Sequence, residues 1–413
     1  MPHQGPSIRP DRLKTLLDGV NRFGFDVETG GFNRPGFSDE DLACRAWFGD
    51  EMRKDGLRVW SDGAGNLFGR YGPDDGPCIL AGSHLDTVPN GGAFDGSLGV
   101  CVALECVRTL KDAGFEPATA IEVVATSEEE GRFGGMLGSQ AIAGLATADW
   151  IARARDADGV RLVDAMTLQG LDPCAILSAA RPAGTIRAFL ELHIEQGPVL
   201  EQDQVSVGIS DQISGVCYLE YTFSGIANHS GTTPMSMRSD AFAGLAELAH
   251  QIPQIIKQAG TDQTRITIGH VVLEPNQPHT IPGKAHFSII LRDTSESVMG
   301  MLRDMVHDRA LDVARKSGLS LESAERSWLP PVQLDADLAN RLETLAGNMG
   351  LATKRMPSGA GHDAQTMQSI CPSGLIFVPS RNGISHSPGE HSDWVDIERG
   401  ANLFLQALIE LGK

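Results

Sequence analysis

The chain has 413 residues, 41% of them hydrophobic, which is enough for packed cores in two or three domains. Lys and Arg number 34 against 53 Asp and Glu, and the net charge of −19 argues against nucleic acid or an anionic membrane surface as a partner. The seven cysteines form no C-x-x-C pair, and the N-terminal segment lacks the apolar stretch of a signal peptide. These features predict a soluble, cytoplasmic protein with reduced thiols.

The first half of the chain predicts strands that alternate with helices. Apolar positions three and four residues apart predict helices between residues 10 and 55, and an amphipathic helix is predicted at 95–114. Short apolar runs predict strands at 57–60, 66–70, 79–83 and 121–126. This alternation is typical of an α/β sheet with helices packed on it.

From about residue 213 the pattern changes to strand, helix, two strands, helix and a short last strand. The predicted elements are 216–224, 239–259, 264–273, 284–292, 297–317 and 319–321. Their order predicts an α+β unit of ferredoxin-like topology. Because residues 332–413 return to the α/β pattern, this unit at 213–331 is predicted to be inserted into a first domain formed by 1–212 and 332–413.

Two residues near predicted strand ends could be metal ligands. His84 follows the strand 79–83, at the carboxyl edge where sites gather in open α/β sheets. It could be a ligand whose other ring nitrogen is held by Asp86, or a histidine that only satisfies a turn. Asp95, in a Gly-rich turn, could bridge two cations through its two oxygens, or could be an ordinary helix N-cap.

Three consecutive glutamates, Glu128–Glu130, follow the buried strand 121–126. They form either a solvated loop or a site in which cations offset their mutual repulsion. Hydrolysis at a metal pair needs one glutamate as a ligand and a second as the base for water. With His193 and His386, the chain then offers five side chains suited to two zinc-like ions: His84, Asp95, one of the three glutamates, His193 and His386.

The segments around these residues resemble the amidase/hydantoinase/carbamoylase branch of the M20 metallopeptidase-like family. That branch includes N-carbamoyl-L-amino acid hydrolases, allantoate amidohydrolases and β-ureidopropionases. The resemblance runs over nearly the whole chain, in GSHLDTVPNGGAFDGSLGV, EEGRFGGMLGSQ, LELHIEQGPVLE, ANHSGTTPM, PNQPHTIPG, SGAGHDA and SHSPGE. It implies a zinc-aminopeptidase-like catalytic domain, an inserted dimerisation (lid) domain and a homodimer.

The resemblance also implies roles for individual residues of the metal site. It makes Asp95 the bridging ligand and Glu129 the general base, with Asp86 beside them, although a shift by one within Glu128–Glu130 stays open. The implied metal ligands are His84, Asp95, Glu130, His193 and His386. A cis peptide bond at Asp95–Gly96 is implied as well.

Substrate contacts are implied both in the insertion and outside it. His229 is expected to stabilise the oxyanion, in its own site or in that of a partner subunit. Asn276 and Arg292 are expected to hold the substrate carboxylate, since a guanidinium binds carboxylate bidentately. A surface ion pair with Asp293 or Glu296 is the alternative for Arg292. Further expected contacts are Gln196, Gly361 and His362.

The activity implied is hydrolysis of the ureido C–N bond of a small carboxylated substrate by two divalent ions. Zn²⁺ is expected first, with Mn²⁺, Co²⁺ or Ni²⁺ as alternatives. The expected substrate is an N-carbamoyl-L-amino acid, giving amino acid, CO₂ and NH₃, with allantoate and N-carbamoyl-β-alanine as alternatives. A dipeptidase, an N-acyl amino acid deacylase and a binding protein without catalysis are more distant alternatives.

Overall fold

The computed structural model describes residues 5–413, which divide into two compact units. The first comprises the chain up to Asp211 together with Leu334–Lys413, and the second is Gln212–Gln333, where the sequence predicts an insertion at 213–331. None of the helices described in residues 5–413 combines the length and the apolarity needed to cross a membrane.

Helices and strands alternate in the first unit, and the second unit contains β7–β13 with α8 and α9. The helices are α1 (Pro10–Val20), α2 (Asp39–Lys54), α3 (Ser97–Asp112), α4 (Leu137–Ile142), α5 (Ala148–Arg153), α6 (Leu162–Leu168), α7 (Val199–Asp203), α8 (Ala241–Ala259), α9 (Glu296–Ser317), α10 (Ala336–Asn348), α11 (Asp363–Met367) and α12 (Trp394–Leu411). The strands are β1 (Arg58–Ser61), β2 (Leu67–Tyr71), β3 (Cys78–His84), β4 (Ala120–Thr126), β5 (Ile186–Ile194), β6 (Val207–Ile213), β7 (Gly215–Ser224), β8 (Asn228–His229), β9 (Arg265–Glu274), β10 (Thr280–Ile281), β11 (Lys284–Asp293), β12 (Ser320–Leu329), β13 (Val332–Gln333), β14 (Thr353–Ser358) and β15 (Ser373–Val378).

The sheet of the first unit runs in the order β1-β2-β4-β3-β5-β15-β6. Strands β4, β3, β5 and β15 are mutually parallel at its centre, and β3 and β4 are buried along their whole length. These are the near-continuous apolar runs of the sequence, as a strand covered on both faces requires. In register, His84 at the end of β3 is paired with Thr126, and His193 near the end of β5 is paired with Phe377. The α/β class predicted from the sequence is confirmed.

The second unit has a four-stranded antiparallel sheet in the order β12-β7-β11-β9. Helices α8 and α9 pack on it over a core in which the ring of Phe287 lies 5.7 Å from Tyr221 and 5.4 Å from Phe223. The chain order is therefore strand, helix, strand, strand, helix, strand. The outer strand β9 exposes Val271 and Val272.

The predicted last strand at 319–321 is much too short. Strand β12 runs over ten residues, Ser320–Leu329, and pairs with β7 throughout. Its sequence, SLESAERSWL, lacks an apolar alternation because β12 lies at the sheet edge and most of its side chains are exposed. The strand is longer than predicted because its main chain pairs with β7, which the side-chain pattern does not reveal.

Helix α3 approaches the central sheet closely at Gly99. A Cβ there would lie 2.3 Å from the carbonyl oxygen of Leu192 and 2.9 Å from the Cβ of Ser83. We expect Gly99→Ala to lower the free energy of unfolding by about 1–3 kcal/mol, because the helix must move off the sheet. Urea denaturation measures this change.

The matched control is Gly347→Ala in α10, where a Cβ would meet no atom within 4 Å. It should leave stability unchanged or raise it by up to ~1 kcal/mol, since alanine is the better helix former. Equal effects of the two substitutions would contradict the close approach of α3.

Candidate metal centre

The structure brings together the five side chains that the sequence singles out as ligands. His84 ends β3 and His193 lies in β5, so both reach the carboxyl edge of the central strands. Asp95 precedes α3, Glu130 lies in the loop after β4, and His386 lies in the loop after β15. Parallel strands end at one edge of a sheet, which is why distant segments meet there.

The first group of potential ligands consists of His84, Asp95 and His193, all buried. The Nε2 atoms of His84 and His193 lie 3.5 and 3.0 Å from Oδ1 of Asp95. The Nδ1 atoms lie 3.0 Å from the carbonyl oxygen of Asp86 and 2.9 Å from that of Ile194. Each ring thus directs Nδ1 to a main-chain carbonyl and presents Nε2 to the carboxylate, the usual arrangement of a ligating histidine.

The second group consists of Asp95, Glu130 and His386. Nε2 of His386 lies 3.3 Å from Oδ2 of Asp95 and 3.6 Å from Oε2 of Glu130. Asp95 is common to both groups, with Oδ1 facing His84 and His193 and Oδ2 facing His386. A carboxylate placed in this way can bridge two cations.

Glu129 lies beside both groups without belonging to either. It is buried, and its Oε2 lies 3.5 Å from Nε2 of His84. Glu128 points the other way, and its carboxylate accepts the main-chain N–H groups of Phe133 at 2.5 Å and Gly135 at 3.3 Å. Only two of the three glutamates therefore face the site, and Glu128 holds the loop that presents them.

Asp95 is not the N-cap of α3. The cap is Gly96, at φ 60, and a Cβ on this residue would lie 2.3 Å from Cε1 of His84. Only glycine fits between the Asp95 turn and the His84 ring. The expectation of a cis peptide at Asp95–Gly96 is wrong, since the one cis bond in residues 5–413 is Glu274–Pro275. The chain turns after Asp95 through the positive φ of Gly96.

Asp86 holds the second ring nitrogen of His84, which is one of the two alternatives that the sequence leaves open for that histidine. Its main-chain carbonyl holds Nδ1 of His84, whereas its Oδ1 lies 3.9 Å from that nitrogen. The carboxylate instead accepts the main-chain N–H of Glu130 at 3.1 Å and lies 3.8 Å from Nη2 of Arg45. Asp86 thus supports the segment that carries Glu130.

Sequence analysis did not single out Arg45. This buried side chain donates to the carbonyl oxygens of Ala125 and Thr126, at 3.0 and 2.6 Å, and to Asp41. It therefore fixes the end of β4 from which the glutamates extend. The only signal was an arginine in the helical segment DEDLACRAWF, which would ordinarily indicate a surface position.

Burial and mutual repulsion shift the acid–base equilibria of the site. Burial raises the pKa of Glu130 to about 7, with Asp95 adding to the shift, and raises that of Glu129 well above its usual value. The hydrogen bond to Asp95 raises the pKa of His386 to about 9. Burial alone would lower the pKa of His84, but Glu129 and Asp95 raise it well above normal. Buried nitrogen and oxygen donors with excess negative charge suit divalent cations of the zinc type.

A third group, Glu191, His193 and His362, is already satisfied by hydrogen bonds. Glu191 accepts from the hydroxyl of Ser83 at 2.7 Å and from the N–H of Ala364 at 3.0 Å. The ring of His362 lies 4.6 Å from that of His193, and its Nε2 lies 2.9 Å from Oγ of Ser358. His362 is therefore buried, and its ring packs against that of His193.

Gln196 and Gly361 also lie in the first unit. Nε2 of Gln196 lies 2.8 Å from Oδ2 of Asp95 and 3.2 Å from Nε2 of His386. Gly361 lies before α11, where a Cβ would stand 2.7 Å from Cε of Met136. Gln196 is therefore part of the surroundings of the Asp95 carboxylate.

Three predicted substrate residues lie in the second unit. His229 is exposed, and its Nδ1 accepts the main-chain N–H of Gly231 at 3.0 Å. The neutral ring must then carry its proton on Nε2, which makes that atom a donor. Asn276 is exposed at φ 52 in the turn after β9, and Arg292 is half-buried on β11.

Comparison with known proteins agrees with the motifs. Peptidase family M20/M25/M40 matches residues 80–410. The chain is 38% identical over 411 residues to the N-carbamoyl-L-amino acid amidohydrolase of Geobacillus stearothermophilus, covering 98% of this chain and 99% of that protein. It is 36% identical over 408 residues to the allantoate amidohydrolase of Escherichia coli (strain K12), covering 97% of each.

A solved structure is similar over nearly the whole chain. The amidase of the hydantoinase/carbamoylase family from Burkholderia multivorans matches with a TM-score of 0.88 and 32% identity, over 98% of both chains. The fold and these relatives define a metal-dependent hydrolase of mixed α/β fold that acts on carbon–nitrogen bonds other than peptide bonds. The chain belongs to peptidase family M20/M25/M40, in its hydantoinase/carbamoylase branch, as the motifs predict.

The raised pKa values predict that metal binding releases protons. Near pH 7 His386, with a pKa of about 9, holds a proton in the metal-free protein, and Glu130, at about 7, holds part of one. A ligand must be deprotonated, so metal binding should release more than one proton at pH 7 and should weaken as the pH falls below about 9. Calorimetric titration with Zn²⁺ in buffers of different ionisation enthalpy measures this release.

The control is His386→Ala, which should release fewer protons. Binding heats that are independent of the buffer in the wild type would contradict the assignment of His386 and Glu130 to the metal.

Proposed function

We propose that the chain hydrolyses the ureido C–N bond of an N-carbamoyl-L-amino acid, giving the amino acid, CO₂ and NH₃. The observation that carries this proposal is the Asp95 carboxylate shared by two ligand groups, with the uncommitted carboxylate of Glu129 beside them. The named activity of the relative at 38% identity supports the substrate.

Two divalent ions, Zn²⁺ in the first place, would occupy the two groups. His84, Asp95 and His193 would hold one, and Asp95, Glu130 and His386 the other. When bound, such ions polarise the carbonyl oxygen of a substrate and make water a better nucleophile near neutral pH.

Glu129 is the proposed general base. It accepts a proton from the attacking water and then donates this proton to the nitrogen that leaves. Burial raises the pKa of Glu129 well above the usual range, and the carboxyl groups of Asp363 and Glu130 add to the shift. The distance of 3.5 Å from Oε2 of Glu129 to Nε2 of His84 puts this carboxylate next to the first ligand group.

His229, Asn276 and Arg292 of the second unit are proposed to bind the substrate. Because Nδ1 of His229 accepts the N–H of Gly231, its Nε2–H is available to donate to the oxyanion, a contribution of about 3–4 kcal/mol in comparable cases. Asn276 and Arg292 would bind the carboxylate, and Gln196 and Gly361 are the further proposed substrate contacts.

Two of the residues expected at the substrate or catalytic site are assigned supporting roles instead. His362 is buried against the ring of His193, which favours orienting that ring over touching the substrate. Asp86 would hold Glu130 in place through its main-chain N–H.

Allantoate is the second candidate substrate, since the allantoate amidohydrolase of Escherichia coli is nearly as similar to this chain as the N-carbamoyl-L-amino acid enzyme. The test is ammonia release by Zn²⁺-loaded protein with N-carbamoyl-L-amino acids, allantoate and N-carbamoyl-β-alanine. We expect the highest kcat/KM with the first class and loss of activity on chelation. N-acetyl amino acids and dipeptides test the deacylase and dipeptidase alternatives through the free amino acid they release, since neither yields ammonia, and faster turnover of either would overturn the proposal.

Two isosteric variants separate the roles of the neighbouring glutamates in the same assay. Glu129→Gln should lower kcat by about 10²–10⁴-fold and leave the metal content unchanged, because it removes only a proton acceptor. Glu130→Gln should instead lose one ion per chain. The opposite pattern would exchange the two assignments.

The second unit is proposed as a ferredoxin-like lid and dimerisation domain, in a homodimer. Its outer strand β9 has an edge that no strand of its own sheet covers, and it exposes Val271 and Val272. Such an edge can pair with the same strand of a second copy. All seven cysteines are free, which supports the cytoplasm as the proposed location.

Mixing two inactive variants tests whether His229 serves the partner's site. If it does, a dimer of one Glu129→Gln chain and one His229→Ala chain has one complete site. Refolding the two variants together at equal amounts should then restore about a quarter of wild-type activity, since half of the dimers are mixed. No recovery would mean that His229 acts in its own subunit.

A further inference from the structure

Glu390 joins two of the three segments that supply the second ligand group, those of Asp95 and His386. Its Oε1 accepts the main-chain N–H groups of Phe94 at 2.9 Å and Asp95 at 3.0 Å. Its Oε2 accepts the hydroxyl of Ser385 at 2.9 Å, next to His386 in the chain. The side chain is 5% exposed, so these hydrogen bonds are largely shielded from water. We propose that Glu390 is a positioning residue that sets Asp95 and His386 at the spacing one cation requires.

The division of the two oxygens distinguishes this role from simple helix capping. A capping carboxylate would satisfy the free N–H groups before α3 and need no other partner. Here the second oxygen holds Ser385, whose hydroxyl also lies 3.3 Å from Oδ2 of Asp95. Glu390, Ser385 and Asp95 thus form a closed ring of contacts around the bridging carboxylate.

The main chain of His386 needs such a tether, since the contacts of its ring with Asp95, Glu130 and Gln196 act on the side chain alone. Its φ of 53 is a left-handed conformation that a residue with a side chain seldom adopts, and half of its side chain is exposed. A conformation of this kind persists only where neighbouring contacts enforce it. Ser385, immediately before it, is held by Glu390, and Glu390 lies in the same short loop.

Gly92 provides the space in which Glu390 lies. A Cβ on Gly92 would stand 2.2 Å from Cδ and from Oε1 of Glu390. Gly92→Ala therefore displaces the carboxylate without changing its chemistry. Gly389, next to Glu390 in the chain, has open space, since the nearest atom to its Cβ would be Cγ2 of Ile384 at 3.7 Å.

This inference rests on the proposed metal site, so its test measures metal binding directly. Wild type, Glu390→Ala, Glu390→Gln, Gly92→Ala and the control Gly389→Ala are dialysed against Zn²⁺, and bound ions per chain are counted at each concentration. Thermal denaturation of the metal-free proteins checks that each variant is folded. The values of kcat and KM are each measured as the Zn²⁺ concentration is raised.

We expect Glu390→Ala and Gly92→Ala to bind one ion about 10–100-fold more weakly than the wild type, as for other residues that orient metal ligands. Excess Zn²⁺ should restore kcat in both and leave KM unchanged. Glu390→Gln keeps an oxygen for the two N–H groups and should fall between alanine and wild type. Gly389→Ala should match the wild type.

Two ions bound with wild-type affinity by Glu390→Ala and Gly92→Ala would overturn the positioning role and leave the proposed activity intact. Failure of the wild type to bind two ions would overturn the proposed metal site, and the positioning role with it.

Discussion

The Asp95 carboxylate is the point on which the arrangement of the first unit depends. Its Oδ1 faces two buried imidazoles and its Oδ2 faces a third, together with the amide of Gln196. Burial alone would raise the pKa of Asp95, but His193 and the other imidazoles hold it well below the usual range. The carboxylate therefore stays ionised, as a bridging ligand must.

Much of the surrounding structure keeps this carboxylate and its neighbours in place. Gly96 brings the turn against His84, and Gly99 brings α3 against the main chain of Leu192. Arg45 fixes the end of β4 before the three glutamates, and Asp86 holds the main chain of Glu130, the last of them. Few of these groups would touch a substrate, yet each sets the position of one that would. The cost of burying several carboxylates together explains why so many hydrogen bonds converge on them.

Chemistry and specificity are divided between the two units. The first unit contains all the proposed metal ligands and the proposed base, and the second contains the proposed residues for the oxyanion and the carboxylate. The two relatives named above differ in the substrate that their names give, an N-carbamoyl-L-amino acid in one and allantoate in the other.

The sequence by itself determined the α/β class, the family and the five candidate ligands, because each lies in a short motif beside a glycine or proline. It also predicted the longer apolar helices and strands, such as α3, β4, β7 and α8, because their burial is visible as apolar spacing. Only the tertiary structure decided that Asp95 is no helix cap, that Asp86 acts through its main chain, and that Glu128 faces away. These outcomes depend on main-chain groups and on contacts between distant segments, such as that between Asp95 and Glu390, 295 residues apart. Local side-chain pattern carries no record of such contacts, which form only when the strands align at one edge of the sheet.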